Sequence, residues 1–100
     1  MKEKIIEIIK NAIGADAVIE LSVPEESAFG HYSTNVAMRM AKSKNESPME
    51  FARKLVDDII HKAPFEFFEK VEAAEPGFIN FWLSKKTIVD EFQKVAAAEH

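Results

Sequence analysis

The tripeptide Glu75-Pro76-Gly77 constrains this chain more than any other feature of it. Proline presets φ at the second position of a turn and glycine accepts φ > 0 at the third, the recipe for a type II turn. The flanks, Glu69 to Ala74 and Phe78 to Leu83, then fold back on each other as an antiparallel pair. Along the second strand the side chains alternate. Ile79, Phe81 and Leu83 share one face, while Phe78, Asn80 and Trp82 share the other. The first set is a core face. The second puts an amide between two aromatic rings on the side that should meet water. Two rings flanking a donor/acceptor amide can stack on an unpaired base and hydrogen-bond its edge. A helix laid over Phe78 and Trp82, with Asn80 capping a neighbouring backbone group, accounts for the same pattern.

The rest of the chain supplies a support for that hairpin. Lys2 to Ile13 repeats isoleucine at helical spacing and ends before Gly14, a helix with its C-cap. Ala17 to Val23 alternates and reads as a half-buried strand, with Ala17, Ile19, Leu21 and Val23 on one side. Pro24 to His31 breaks the pattern as a loop. Tyr32-Ser33-Thr34-Asn35 opens a second helix running to about Lys42, with Ser33 or Thr34 as N-cap and Val36, Ala37, Met40 and Ala41 inward. Ser47-Pro48-Met49-Glu50 combines an N-cap serine, proline at N1 and the glutamate of a capping box. The helix it starts buries Phe51, Ala52, Leu55, Val56, Ile59 and Ile60 and stops before Pro64. Ser84 caps a last helix whose inward side is Ile88, Val89, Phe92 and Val95. The expected fold is α+β, in the order α-β-α-α-β-β-α, a small antiparallel sheet with helices packed on one face. Such a sheet can leave its other face to solvent, where Phe78, Asn80 and Trp82 would be available.

Composition narrows the function classes. One hundred residues make one domain, 1–100, with a single core. The absence of cysteine removes disulfides, thiolate metal sites and cysteine nucleophiles together. The N-terminus is too polar for a signal peptide, and no apolar run approaches the ~20 residues of a membrane span. A cytoplasmic location without membrane contact is expected. A net charge of −4 argues against affinity built on many phosphate contacts. Any nucleic acid is therefore met at one or two bases, with most of the affinity supplied elsewhere. His31, His61 and His100 lack metal-ligand spacing, Glu25-Glu26 reads as a solvated pair, and Gly14, Gly30 and Gly77 form no phosphate-cradling loop. No catalytic constellation is visible.

Two stretches resemble one family. Gly30-His31-Tyr32-Ser33-Thr34-Asn35-Val36-Ala37-Met38-Arg39-Met40-Ala41-Lys42 is similar to the GDYATNVAMRLAK stretch of the N-terminal additional domain of arginyl-tRNA synthetase, and Pro76-Gly77-Phe78-Ile79-Asn80-Phe81 to that domain's PGFINF hairpin. Val23-Pro24 and Ser47-Pro48 fit between and before them, so the resemblance covers nearly the whole chain. It implies an α/β domain appended to a class I catalytic core, reaching the elbow of arginine tRNA and contacting an unpaired D-loop base. The family's base-contacting aromatic and amide positions correspond here to Phe78 and Asn80, and a third contact, just before the Pro-Gly, to Glu75. Trp82 extends the platform or anchors the hairpin.

The resemblance also sets limits. Nothing here resembles the catalytic or anticodon-binding domains, so this chain is expected to bind no ATP, to need no cofactor or metal and to be a monomer. The parent would be an ATP-dependent arginine–tRNA ligase, with the catalytic core of the same polypeptide as a second partner. Two positions depart from the family pattern. His31 stands where aspartate is common, and Glu75 where glycine is common. A carboxylate at position 75 repels phosphate and accepts a hydrogen bond from a base amino group. The competing function is a protein-interaction or interdomain docking module that uses the Phe78/Trp82 face and makes no RNA contact.

Overall fold

A computed structural model describes residues 1–14 and 17–98, with the side chains of 92 and 94–98 outside the description. The elements are α1 (Lys2–Ile13), β1 (Tyr32–Thr34), α2 (Val36–Lys44), α3 (Pro48–Lys62), β2 (Phe68–Ala74), β3 (Phe78–Leu83) and α4 (Lys85–Ala98), with a 3₁₀ turn at Ser27–Phe29. The class and the order α-β-α-α-β-β-α are those expected. One element in that order has moved.

The isoleucine stripe does form α1, which buries Ile5, Ile8 and Ile9, and the Gly14 N–H closes its end on the Lys10 carbonyl at 2.7 Å. Helix α3 turns Ala52, Leu55 and Ile59 inward and ends at Lys62, with Ala63 as its C-cap just before Pro64. Ile60 lies off that stripe and is 53% exposed, contrary to expectation. Ser47 and Pro48 occupy the N-cap and N1 positions, yet the Ser47 hydroxyl makes no capping hydrogen bond. Ser47 and Glu50 are both exposed, which leaves that helix start to solvent.

The sheet has strand order β1-β3-β2, antiparallel throughout, so the last strand in sequence is the central one. Val71 faces Phe81 and Ala73 faces Ile79 across β2 and β3, and Thr34 faces Ile79 from β1. Ile79 and Phe81 are fully buried and share one core cluster with Ile5 and Ile9 of α1, Val36 and Ala37 of α2 and Ile59 of α3. All of this core lies on one side of the sheet.

The first strand is not where alternation placed it. Residues 17–23 form no strand and pair through an isolated bridge between Ser22 and Ser33, while Tyr32–Thr34 forms β1. Ile19 still packs into the core, but Val23 is 65% exposed. Alternation reports which side of the chain is covered. It does not report whether a neighbour supplies hydrogen bonds. The second helix starts later than expected, after Asn35, and the Thr34 hydroxyl accepts the Val36 N–H at 3.2 Å.

The hairpin also turns differently. Its closing bond runs from the Gly77 N–H to the Ala74 carbonyl at 2.9 Å, which puts Pro76 third and Gly77 fourth in the turn. The Glu75–Pro76 peptide is cis, so the turn is type VI, not type II. Gly77 has φ 152°, and a Cβ there would stand 2.7 Å from Met38 Cγ and 2.8 Å from Pro48 Cβ. The turn is thus seated against α2 and the start of α3.

Helix α4 leaves the sheet through a short polar chain. The Ser84 hydroxyl accepts the Thr87 N–H, and the Thr87 hydroxyl donates to the Phe67 carbonyl at 2.8 Å. Thr87 is the buried residue of this turn. Ile88 and Val89, expected inward, are 43% and 44% exposed. The burial expected for Phe92 and Val95 lies outside the described residues.

Candidate functional site

The face of the sheet opposite the core carries a polar row across four chain segments. Ser22 and Ser33 exchange both backbone hydrogen bonds at 2.9 Å, Ser33 stands opposite Asn80 in the register, and Asn80 stands opposite Glu72. Within the row the Ser33 hydroxyl donates to Asn80 Oδ1 at 2.8 Å. Both residues are buried, at 8% and 5% exposure. A buried amide needs partners, because an unmade hydrogen bond there costs about 1–3 kcal/mol. Ser33 satisfies the oxygen of Asn80. The amino group, Nδ2, has no protein partner among the described residues and is not sealed from solvent.

Asn80 is therefore not on an open face, as the sheet argument expected. The segment from Ser22 to Phe29 lies against that face and converts it into a cleft. The cleft has a volume of about 300 Å³ and is lined by Ser22, Pro24, Phe29, Ser33, Ala74, Glu75, Phe78 and Asn80. Its walls are aromatic: Phe78 is 38% exposed and Phe29 52% exposed. Its polar groups are the Asn80 amide, the Glu75 carboxylate and the serine hydroxyls. A volume at the small end of ligand pockets, roughly 300–1,000 Å³, suits one flat heterocycle better than an extended ligand.

Of the four residues singled out from sequence, Phe78, Asn80 and Glu75 line this cleft and Trp82 does not. Trp82 sits beside Gly30, where a Cβ would fall 3.2 Å from its ring, and Lys70 Nζ lies 4.7 Å from the ring centre. Lys70 also pairs with Glu72 at 3.1 Å. His31 is exposed, but its Nδ1 accepts the Leu83 N–H at 2.9 Å.

Phe29, Ser22, Pro24 and Ser33 were not found from sequence. The signal for Phe29 was present: a lone aromatic in a loop of small and polar residues, next to a glycine. Gly30 has φ 97°, and a Cβ there would stand 2.7 Å from the Phe81 carbonyl oxygen. Only a residue without a side chain lets this loop come so close to β3, and that approach carries Phe29 to the cleft.

A larger groove of about 460 Å³ lies between the end of α3 and the start of β2, flanked by Phe65, Phe67 and Phe68. Phe65 is 89% exposed. Of its lining side chains, His61 bonds the Asp57 carbonyl through Nδ1 at 2.7 Å and Lys70 pairs with Glu72 at 3.1 Å, but both are exposed, unlike the buried Ser33–Asn80 pair. Among the described residues no group of three or more His, Cys, Asp or Glu side chains is placed to hold a metal ion, and no helix is long and apolar enough to cross a membrane.

Comparison with known proteins agrees with the fold. Residues 1–83 match the family described as the arginyl tRNA synthetase N terminal domain. The chain is 35% identical over 88 residues to the arginine–tRNA ligase of Thermotoga maritima, an alignment covering 88% of this chain and 16% of that protein. The arginyl-tRNA synthetase of Thermus thermophilus superposes with a TM-score of 0.65 at 24% identity, over 85% of this chain and 14% of that one. The Plasmodium falciparum arginyl-tRNA synthetase gives a TM-score of 0.61 at 25% identity, over 87% of this chain and 16% of that one. This chain thus spans about a sixth of the length of the T. maritima relative.

Proposed function

Because the chain belongs to the arginyl-tRNA synthetase N-terminal domain family, we propose that it is a tRNA-recognition module that takes an unpaired D-loop base of arginine tRNA into the cleft between β3 and the Ser22–Phe29 segment. Phe78 stacks on the base and Phe29 forms the opposite wall. Asn80 hydrogen-bonds the base edge, and Glu75 accepts from a base amino group. Trp82, held between Gly30 and Lys70, anchors the hairpin. The observation that carries this reading is the Asn80 amide, buried beside Phe78, satisfied on its oxygen and open on its nitrogen.

The module positions a tRNA for ATP-dependent arginylation by a catalytic core elsewhere in the polypeptide and binds no ATP itself. One stacked base contributes about 1–3 kcal/mol, which suits a net charge of −4 better than a broad phosphate footprint does. In an intact enzyme its effect is on orientation of a substrate held elsewhere, seen in kcat/KM.

A titration of isotope-labelled chain with arginine tRNA, followed by amide NMR, tests this. Shifts should concentrate at Glu75 to Asn80 and at Phe29, and should vanish with a tRNA whose D-loop base is removed. Equal shifts with both RNAs, confined to lysine and arginine neighbourhoods, would reduce the interaction to phosphate contact. The docking alternative, expected on the Phe78/Trp82 face, has more exposed apolar side chains to use at Phe65 and Ile60, at 89% and 53%. It expects no response to RNA at the cleft.

A further inference from the structure

We infer that Ser33 is a positioning residue that fixes the Asn80 amide in one orientation, so that the cleft presents a hydrogen-bond donor and selects bases offering an acceptor there. The inference rests on the base-binding reading above and adds to it a determinant of which base is taken.

An asparagine amide is ambivalent: turned by 180° it exchanges an acceptor for two donors at the same place. A site that reads a base edge through an amide that can turn over accepts either hydrogen-bonding pattern and discriminates poorly. Here the turn is opposed from one side. The Ser33 hydroxyl donates its single hydrogen to Asn80 Oδ1 at 2.8 Å. Turned over, the amide would still donate to the Ser33 oxygen, but that hydrogen would lose the one acceptor it has among the described residues. Ser33 is itself held in place, since its N–H and carbonyl both bond to Ser22 and its carbonyl also accepts the Ser22 hydroxyl at 3.4 Å. At 8% exposure little water reaches Ser33 to replace the bond. Asn80 is fixed equally firmly, as an interior residue of the central strand paired with Ser33 on one side and Glu72 on the other. The amino group is the part of the amide left for a ligand. A base whose edge offers a ring nitrogen or carbonyl oxygen there gains a hydrogen bond. One that offers an N–H there meets a second donor and leaves a buried group unsatisfied.

The test uses this chain, its Ser33→Ala and Ser33→Thr variants, and four arginine-tRNA transcripts differing only in the unpaired D-loop base. Dissociation constants come from NMR titration, and amide spectra remote from the cleft verify the fold of each variant. The expected wild-type result is a preference of about tenfold between best and worst base, one hydrogen bond's worth. Ser33→Ala should bring that ratio close to unity, chiefly by improving binding of the disfavoured base. Ser33→Thr, which keeps the hydroxyl, should restore it. A ratio unchanged in Ser33→Ala would overturn the role of Ser33 and leave base binding standing. Loss of the ratio in both variants would assign the effect to packing and likewise overturn it. No preference in the wild type, or no cleft shifts with any transcript, would remove base reading and this inference together.

Discussion

Leu83 donates its backbone N–H to the imidazole Nδ1 of His31 across 2.9 Å. The bond continues the β1–β3 pairing one residue beyond the strand, next to the His31 N–H donation to the Phe81 carbonyl. It ties the loop before β1 to the end of the central strand. The proton of a neutral imidazole in this bond sits on Nε2. His31, which departs from the aspartate that the family resemblance leads one to expect, thus still offers an acceptor.

His31→Ala removes that acceptor and should lower stability by about 1 kcal/mol, the usual net value of a single hydrogen bond. His31→Asp, which offers a carboxylate to the same N–H, should lose less. Urea unfolding of the three proteins measures the difference, with an unchanged m-value marking a pure stability effect. An alanine variant as stable as the wild type would show that water serves the Leu83 N–H equally well.

Gly77→Ala should destabilise the chain by about 1–3 kcal/mol, the range for forcing extra volume into a packed site. The obstacle is Met38 on one side and the Pro48 ring on the other. Met38→Ala in the same chain should relieve only part of the cost, because Pro48 stays where it is. Thermal unfolding of the two single variants and the double variant measures that coupling.

Phe78→Ala and Phe29→Ala should each weaken binding of arginine tRNA by about 1–3 kcal/mol with the fold retained, since both rings are partly exposed. If the two rings enclose one base, the double variant loses less than the sum of the singles. Full additivity in the titration would place them on separate parts of the RNA.

Thr87→Val should cost about 1 kcal/mol by deleting the hydroxyl that donates to the Phe67 carbonyl. Ser84→Ala removes the N-cap of α4 and should cost a similar ~1 kcal/mol. Because the Ser84 hydroxyl also donates to Thr87 Oγ1 at 3.0 Å, the two effects should be non-additive in denaturant melts.

The hairpin, α1 and α3 could be read directly from the chain because each is specified by its own neighbours: a turn tripeptide, an isoleucine stripe, a serine-proline start. The elements misread are those whose form depends on a distant partner. Tyr32–Thr34 contains a serine and a threonine ahead of a helical pattern, which is how an N-cap looks. It is a strand only because β3 lies alongside, and Thr34 caps as well. Residues 17–23 alternate convincingly yet find a partner only at Ser22. In α4, Thr87 displaces the expected Ile88 and Val89 from the buried side because the Phe67 carbonyl waits for its hydroxyl.

The cleft divides in the same way. Phe78, Asn80 and Glu75 lie on or beside the hairpin, and their grouping follows from period-two alternation and one turn. Phe29 and Ser33 arrive from about fifty residues away in the chain. Their placement depends on the close approach of Gly30 to Phe81 and on the Ser22–Ser33 bridge, neither of which leaves a periodic trace.

The central position of β3 has an evolutionary consequence. Its alternate residues serve two masters, Ile79 and Phe81 holding the core while Phe78 and Asn80 form the cleft. A one-residue insertion would exchange the two sets and ruin both, so this wall can diversify only by substitution in place. The opposing wall, from Ser22 to Phe29, contributes no fully buried apolar side chain and is tied to the sheet chiefly at its ends. It can change in length and composition without disturbing the core. Divergence in what the cleft accepts should therefore accumulate in that loop, against an almost invariant strand.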